Sequence, residues 1–165
     1  MRFFPHDWGS ESDDATEAVF TAYNTFLKSI LGPVGSKIRD FHASQSLNTN
    51  FLDKIQVRPS SKEVALILVS GDLQRGYSLL TIRYKNAVLT ETEHTVRQAF
   101  NFRNAEIRYD EFDLASGNNS LCVHRFLLWP KHLGEFAISF DDFEVEQKPM
   151  ASRGYVTYGQ TFELE

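Results

Sequence analysis

The 165-residue sequence has very little cysteine, no long apolar run and no cluster of basic residues. Cys122 is the only cysteine, so no disulfide can form within the chain, and this favours a reducing compartment. No segment reaches the roughly 20 apolar residues of a membrane-spanning helix. Residues 1–10 also lack the continuous apolar stretch of a signal peptide. These absences predict a cytoplasmic protein with no membrane partner.

The charge distribution argues against a nucleic-acid-binding face. The chain has 17 Lys and Arg against 22 Asp and Glu, which gives a formal net charge of -5. Its basic residues are scattered singly, whereas binding to a phosphate backbone requires clustered Lys and Arg. We therefore expect no nucleic-acid partner.

The familiar catalytic and cofactor motifs are also missing. The sequence has no nucleophile elbow, zinc-protease helix, P-loop or dinucleotide fingerprint, so no cofactor is predicted. The segment from Gly71 to Gly76 is glycine-bounded like a phosphate loop, but no Lys-Ser/Thr follows it and a strand comes next. Its context favours a wide hairpin turn. Cys122 lies in an apolar strand, which indicates a buried small hydrophobe rather than a nucleophile.

The stretch from Val64 to Tyr84 organises the rest of the chain. Residues 64–69 are apolar without alternation, as in a strand that is covered on both faces. After the turn, Leu80, Ile82 and Tyr84 alternate with polar residues, as in a strand with one buried face. This stretch predicts a β-hairpin.

The sequence before the hairpin has helical periodicity. Apolar or small residues repeat at helical spacing over four turns, at Ala15, Ala18, Val19, Ala22, Tyr23, Phe26, Leu27, Ile30 and Leu31. Gly32-Pro33 ends this helix, and a second helix is predicted from Pro33 to Phe41. We expect Phe26 to pack on the hairpin. A short third helix is predicted for Thr90 to Phe100, with a cap at Thr90.

Several further segments have the pattern of strands. Ile55 and Val57 mark one before the hairpin, and the others are predicted at Ala105 to Leu114, Leu121 to Trp129, Phe136 to Val145 and, as an edge strand or ordered tail, Tyr155 to Leu164. Short connections imply antiparallel pairing. The chain is thus predicted to be a single α+β domain over residues 1–165. An N-terminal amphipathic helix would pack on a mostly antiparallel sheet of about six strands, around a core rich in its 14 Phe rings.

One polar constellation follows from pairing the three late strands. If Leu114 faces Leu121 and Trp129 faces Phe136, directly opposed side chains share a face of the sheet. The first set of candidate site residues is then a row formed by Glu111, His124 and Asp141. The second set, on the opposite face, consists of Asp110 paired with Arg125, and Asp142 diagonal to that arginine.

Two interpretations of this row remain open. A carboxylate–imidazole–carboxylate row can hold a proton relay or, with a further ligand, a divalent metal, and His42 can join it from a loop. Alternatively, charged cross-strand pairs stabilise the register of any half-exposed sheet. His6, Asp7 and Trp8 are predicted to be packing and surface residues rather than ligands.

Short motifs spread along the chain resemble those of small bacterial domains of unknown function. They are Met1-Arg2-Phe3-Phe4 with Asp7-Trp8, the segment from Gly71 to Tyr77, Tyr109-Asp110-Glu111, His124 to Trp129, and Phe140-Asp141-Asp142. The resemblance implies no particular reaction and assigns no catalytic residue. Where those domains tend to have a His-Asp pair after the helical region, this chain has His42-Ala43.

The preferred functional prediction is a small non-catalytic binding or protein-interaction module, whose partner is a protein or a small ligand. An acidic α+β domain of this size also suits an immunity protein that blocks a basic toxin, because complementary charge speeds association. The alternative is a small metal-dependent or acid/base hydrolase that uses Glu111, His124 and Asp141.

Overall fold

A computed structural model describes residues 1–4, 13–89, 93–102, 104–115, 121–150 and 161–164. The predictions for His6, Asp7, Trp8 and the Thr90 cap fall outside these ranges. Within them, the three predicted helices are confirmed: α1 spans Asp13–Ser29, α2 spans Gly32–Ser44 and α3 spans Glu93–Asn101. None of these helices has the length and apolar character needed to cross a membrane.

The described residues also form nine strands, which join in one sheet. Their bounds are β1 Phe51–Arg58, β2 Glu63–Asp72, β3 Gly76–Lys85, β4 Val88–Leu89, β5 Glu106–Leu114, β6 Cys122–Trp129, β7 Glu135–Phe140, β8 Asp142–Pro149 and β9 Thr161–Leu164. The α+β class and the mostly antiparallel sheet are confirmed. The predicted count of about six strands is wrong, in part because the segment predicted as one strand from Phe136 to Val145 is two strands that bend apart at Asp141.

The strand order is β4-β7-β6-β5-β1-β2-β3-β8, and β9 lies parallel to β1. Strands β1 and β5 are joined over a short length only: among the described residues, Phe51 and Glu106 are their single bridging pair. At the C-terminal end of β3, Lys85 pairs with Asp142 of β8. Shortly after it, Val88 of β4 pairs with Ser139 of β7. Strand β4 therefore follows β3 along the chain almost directly, and β8 follows β7 in the same way. Because β4 and β8 are the two ends of the strand order, the sheet curls so that its ends lie close to each other near Asp141.

The predicted hairpin is formed by β2 and β3, with Val64 opposite Tyr84 and Leu66 opposite Ile82. At its tip, the Asp72 carboxylate accepts hydrogen bonds from the backbone N–H groups of Gln74 and Arg75, both at 2.8 Å. These two bonds lower the pKa of Asp72. Gly76 closes the turn at a φ of +91°, a backbone conformation that glycine adopts without steric cost. The segment from Gly71 to Gly76 is therefore a hairpin turn, as its context predicted.

The core lies between the curled sheet and the helices, and ten of its thirty buried residues within the described ranges are aromatic, eight of them Phe. Helix α1 contributes Tyr23 and Leu27 as buried residues. Phe26 is only half-buried, and its ring lies against Phe3, with a centroid separation of 5.4 Å, and under the guanidinium of Arg2. The N-terminal residues therefore cover the Phe26 ring. Cys122 is buried, and burial raises the pKa of its thiol to about 11.

Candidate binding cleft

At Glu106 and Ile107, β5 pairs with β6 in the predicted register, but after the irregularity between Ile107 and Tyr109 the pairing differs from it by one residue. Leu114 lies opposite Cys122 rather than Leu121, so Phe112 lies opposite His124 and Glu111 opposite Arg125. Because side chains alternate between the two faces of a sheet, this shift places Glu111 and His124 on opposite faces. The predicted contact between Glu111 and His124 is therefore wrong.

The predicted position of Asp141 beside His124 is also wrong. Phe136 pairs with Phe126 rather than with Trp129, and His124 consequently lies opposite Ile138. Asp141 lies at the bend between β7 and β8, where its carboxylate accepts a hydrogen bond of 2.6 Å from the side-chain amide of Asn86. The structure thus does not form the Glu111–His124–Asp141 row.

Glu111 instead holds the N-terminal segment. Its side chain is fully buried and accepts backbone N–H hydrogen bonds from Arg2, from Phe3 at 2.8 Å and from Phe4 at 3.3 Å. The Nε atom of Arg125 lies 4.0 Å from the Glu111 carboxylate. A buried carboxylate is stable when hydrogen bonds satisfy its oxygens, and three consecutive backbone donors do so here.

The second predicted set of residues is also separated. Arg125 lies near Glu111 and Asp113, and Asp110 is on the other face of the sheet, so the predicted Asp110–Arg125 pair is wrong. Asp142 begins β8, where the Lys37 ammonium donates to its carboxylate at 2.5 Å. Partial burial opposes ionisation of Asp142, but the hydrogen bonds from Lys37 and from the backbone of Phe143, together with the charges of Lys37 and Lys85, outweigh it and lower the pKa.

His124 is the centre of a different polar chain, which consists of Tyr84, His124 and Asp110. The Tyr84 hydroxyl lies 2.8 Å from Nδ1 of His124, and Nε2 lies 2.9 Å from Oδ2 of Asp110. The imidazole is fully buried and stacks on Phe112 with a centroid separation of 3.8 Å. Burial lowers the pKa of His124 even though the hydrogen bond to Asp110 opposes that shift, so the ring is neutral at pH 7.

The direction of each hydrogen bond in this polar chain follows from the protonation states. An ionised carboxylate only accepts, so the proton of the neutral imidazole lies on Nε2 and is donated to Asp110. Nδ1 then carries a lone pair and accepts the hydroxyl proton of Tyr84. Burial, and the nearby charge of Asp110, raise the pKa of Tyr84, which keeps that hydroxyl protonated. All donors in the chain thus point towards the Asp110 carboxylate.

Asp110 connects this buried chain to a cleft that we call the Asp110 cleft. The cleft has a volume of about 240 Å³ and lies between α1, the end of α2 and β5. Its lining residues are Phe4, Phe20, His42, Gln45, Ser46, Asn48, Tyr109 and Asp110. The Asp110 side chain is 18% exposed, so the polar chain reaches the surface at this carboxylate.

His42, which was predicted to join a site from a loop, lies at the end of α2 and lines the same cleft as Asp110. Its Nε2 atom is 3.2 Å from the side-chain oxygen of Asn24. The sequence interpretation missed Tyr84, although a signal was present. Tyr84 occupies a core-facing position of β3, and a tyrosine at a buried position needs a partner for its hydroxyl.

Within the part of the chain that the structure describes, no group of three or more His, Cys, Asp or Glu side chains is arranged to hold a metal ion. Comparison with known proteins identifies no matching family model, no matching curated protein and no matching solved structure. The resemblance to small bacterial domains of unknown function therefore stays a prediction.

Proposed function

We propose that this protein is a non-catalytic binding module and that its ligand occupies the Asp110 cleft. The observation that supports the proposal is the Tyr84–His124–Asp110 chain. It fixes a carboxylate at the wall of a cleft and directs two buried hydrogen-bond donors towards it. A carboxylate held in this way is pre-organised as an acceptor for a ligand that carries a positive charge or several donors.

The surroundings of His124 support a binding role rather than a purely structural one. Its ring lies among Phe112, Phe126 and Phe41, where an apolar side chain of similar size would need no hydrogen bond. Buried polar groups lower stability unless every donor and acceptor is satisfied. In the described part of the molecule, the hydrogen bonds of Tyr84 and His124 run within this three-membered chain, and the chain ends at a cleft. This arrangement is typical of a site held in a fixed geometry for a ligand.

The lining of the cleft favours a small protonated amine as the ligand. The rings of Phe4, Phe20 and Tyr109 provide an apolar and aromatic wall, and Asp110 provides the counter-charge. Aromatic faces attract cations by about 0.5–2 kcal/mol, and an ammonium group donates directly to a carboxylate. The volume of about 240 Å³ suits a small organic amine or a single amine-bearing side chain.

The hydrolase alternative required Glu111, His124 and Asp141 to converge in one pocket. The register places Glu111 and His124 on opposite faces and leaves Asp141 at a bend, so this geometry gives the alternative no support. The predicted immunity function and the predicted cytoplasmic location stay predictions. They rest on the composition, whereas the ligand proposal rests on the geometry around Asp110.

A binding experiment with matched probes tests the proposal. Phenethylammonium, its neutral analogue phenethyl alcohol and the anion 3-phenylpropionate would be titrated by calorimetry and by NMR. The Asp110→Asn variant removes the charge but keeps an oxygen that accepts from His124, and Asp40→Asn on α2 serves as the control. We expect the ammonium probe alone to bind, and only when Asp110 is intact.

Equal binding of the alcohol and the ammonium compound would contradict the proposal, because the carboxylate would then play no part. Equal ammonium binding by wild type and Asp110→Asn would contradict it for the same reason. If none of the probes binds wild type at millimolar concentration, the Asp110 cleft is not an amine site.

A further inference from the structure

Strand β8 is at one end of the sheet path, and among the described residues no strand pairs with its outer edge. The backbone N–H of Met150, directly after β8, donates to the carbonyl oxygen of Tyr77 at 2.8 Å. Backbone groups alternate in direction along an antiparallel strand, so those of Glu144, Glu146 and Lys148 also point towards β3. The N–H and C=O groups of Val145 and Gln147 consequently point away from the sheet.

A groove runs along this outer edge, between β8 and α2, and we call it the edge groove. It has a volume of about 480 Å³ and includes Lys37, Asp40 and Phe41 of α2 and Phe143, Val145 and Gln147 of β8. Val145 pairs with the fully buried Ile82 and so lies on the core side of the sheet, yet it is 39% exposed. The core face of the sheet thus continues into the edge groove without being fully covered.

We propose that the edge groove binds an extended segment of a partner protein, in which apolar and basic residues alternate. Such a segment would add to the sheet as a strand beside β8. Its backbone would pair with the outward-pointing groups of Val145 and Gln147, as in other complexes formed by strand addition. Its apolar side chains would lie in the groove over Phe143 and Val145.

The charges on the opposite face of β8 are the reason to expect basic residues in the partner segment. Asp142, Glu144 and Glu146 lie along that face and are followed by Lys148. Lys85 and Arg83 of β3 pair with the three carboxylates, Lys37 also pairs with Asp142, and Lys148 also pairs with Glu146. A strand added on the outer side meets the same three carboxylates from the other direction. Opposite charges across neighbouring strands are stabilising and like charges are destabilising, so Lys and Arg are favoured at these positions.

A second copy of this chain fits the edge less well. If two β8 strands paired antiparallel about Val145, Glu144 of each copy would lie opposite Glu146 of the other. Two pairs of like charges would then face each other across the interface, and only two pairs of opposite charges, Asp142 with Lys148, would offset them. Charged residues on an exposed edge strand generally prevent self-association. Three of the four charged side chains on this face of β8 are acidic, so a basic partner would gain more pairs of opposite charge than a second copy would.

A phage-displayed library of random decapeptides, selected on the whole protein, tests this inference. The key variant is Val145→Pro, because proline removes the outward-pointing N–H group and leaves the hydrogen bonds to β3 in place. Val145→Thr, which keeps that N–H group, is the matched control. Thermal unfolding of both variants checks that each remains folded.

We expect the selected peptides to alternate between apolar and basic residues. As synthetic peptides they should bind wild type and Val145→Thr alike, and they should bind Val145→Pro about tenfold or more weakly, as the loss of a backbone hydrogen bond implies. Their affinity should also fall as salt is raised. Failure to enrich any peptide, equal binding to Val145→Pro, or enrichment of acidic peptides would each overturn the inference.

Discussion

Replacing His124 with alanine removes the middle member of the Tyr84–His124–Asp110 chain. The imidazole is fully buried; it stacks on Phe112, with 3.8 Å between ring centroids, and lies tilted against Phe126, with 4.2 Å between centroids. The variant therefore leaves a cavity between two rings that cannot collapse freely. It also leaves the Tyr84 hydroxyl without its acceptor in a region that water does not reach.

The expected loss can be worked from these two effects. Deletion of a buried aromatic ring costs about 3–5 kcal/mol, and a buried hydroxyl without a partner costs about 1–3 kcal/mol. Imidazole is smaller than a phenyl ring, and its own burial is unfavourable, so the two effects do not add in full. We expect His124→Ala to lower the free energy of unfolding by about 3–5 kcal/mol. The whole free energy of unfolding of a small domain is about 5–15 kcal/mol, so the variant should be only marginally stable.

Urea unfolding followed by circular dichroism measures this loss, and two variants separate its parts. Tyr84→Phe keeps the ring but leaves Nδ1 of His124 without a donor, and should cost about 1–3 kcal/mol. Asp110→Asn keeps an oxygen that accepts from Nε2 and should cost less than about 1.5 kcal/mol. Because these residues share one chain, their effects should not be additive.

A loss below about 1 kcal/mol for His124→Ala would refute this reasoning, because that is the size expected of a surface substitution. The imidazole would then have to be solvated, and the polar chain would not be the buried network described above. An intact Tyr84→Phe variant together with a severely destabilised His124→Ala would show that the ring packing matters and the hydroxyl does not.

Three further predictions concern stability. Glu111→Gln should lower the free energy of unfolding by about 1–3 kcal/mol, because the buried charge that accepts three backbone N–H groups is lost, and hydrogen exchange at Phe3 and Phe4 should speed up. In urea unfolding, Tyr23→Ala should lower the free energy of unfolding by about 3–5 kcal/mol, because it leaves a cavity in the core, and Phe26→Ala should lower it less, because Phe26 is half-buried. Wild type should lose stability as the pH falls below about 6.5, the ordinary pKa of histidine, because the unfolded chain then binds a proton that buried His124 does not. The free energy of unfolding should fall by at most about 1.4 kcal/mol per pH unit from this one group. His124→Gln should lack this part of the pH dependence when its urea unfolding is measured over the same pH range.

The elements that the sequence predicts well are those with a strong local pattern. Helix α1 repeats its apolar residues over four turns, and the hairpin of β2 and β3 has alternating residues on one side of a glycine-bounded turn. Both signals lie within about 20 residues of sequence. The bend at Asp141 has no such signal. The bend forms because β7 pairs with β6 whereas β8 pairs with β3. The pairing of β8 with β3 joins parts of the chain that are far apart in sequence.

The site was harder to predict because it depends on the register between strands. If Leu121 rather than Cys122 is taken as the partner of Leu114, the residues from Tyr109 to Leu114 are matched with β6 residues of the wrong face. The observed register differs from this choice because of an irregularity between Ile107 and Tyr109, which has no signal in the hydrophobic pattern. Both alignments place apolar residues opposite one another, so hydrophobic pattern alone does not decide between them. His124 and Asp110 were each identified as candidates, but they were assigned to opposite faces.

The burial of His124 also changes which residues can meet a ligand. With the predicted register, the imidazole would lie on a solvated face and act directly. In the structure it lies behind Asp110, so the carboxylate alone of these two reaches the Asp110 cleft, and His124 acts by holding it in place. A positioning role of this kind predicts that Tyr84→Phe weakens ammonium binding at Asp110 without any contact between Tyr84 and the probe. If Tyr84→Phe were to bind phenethylammonium as tightly as wild type, the cleft would be using the charge of Asp110 alone, and the polar chain would serve only the fold.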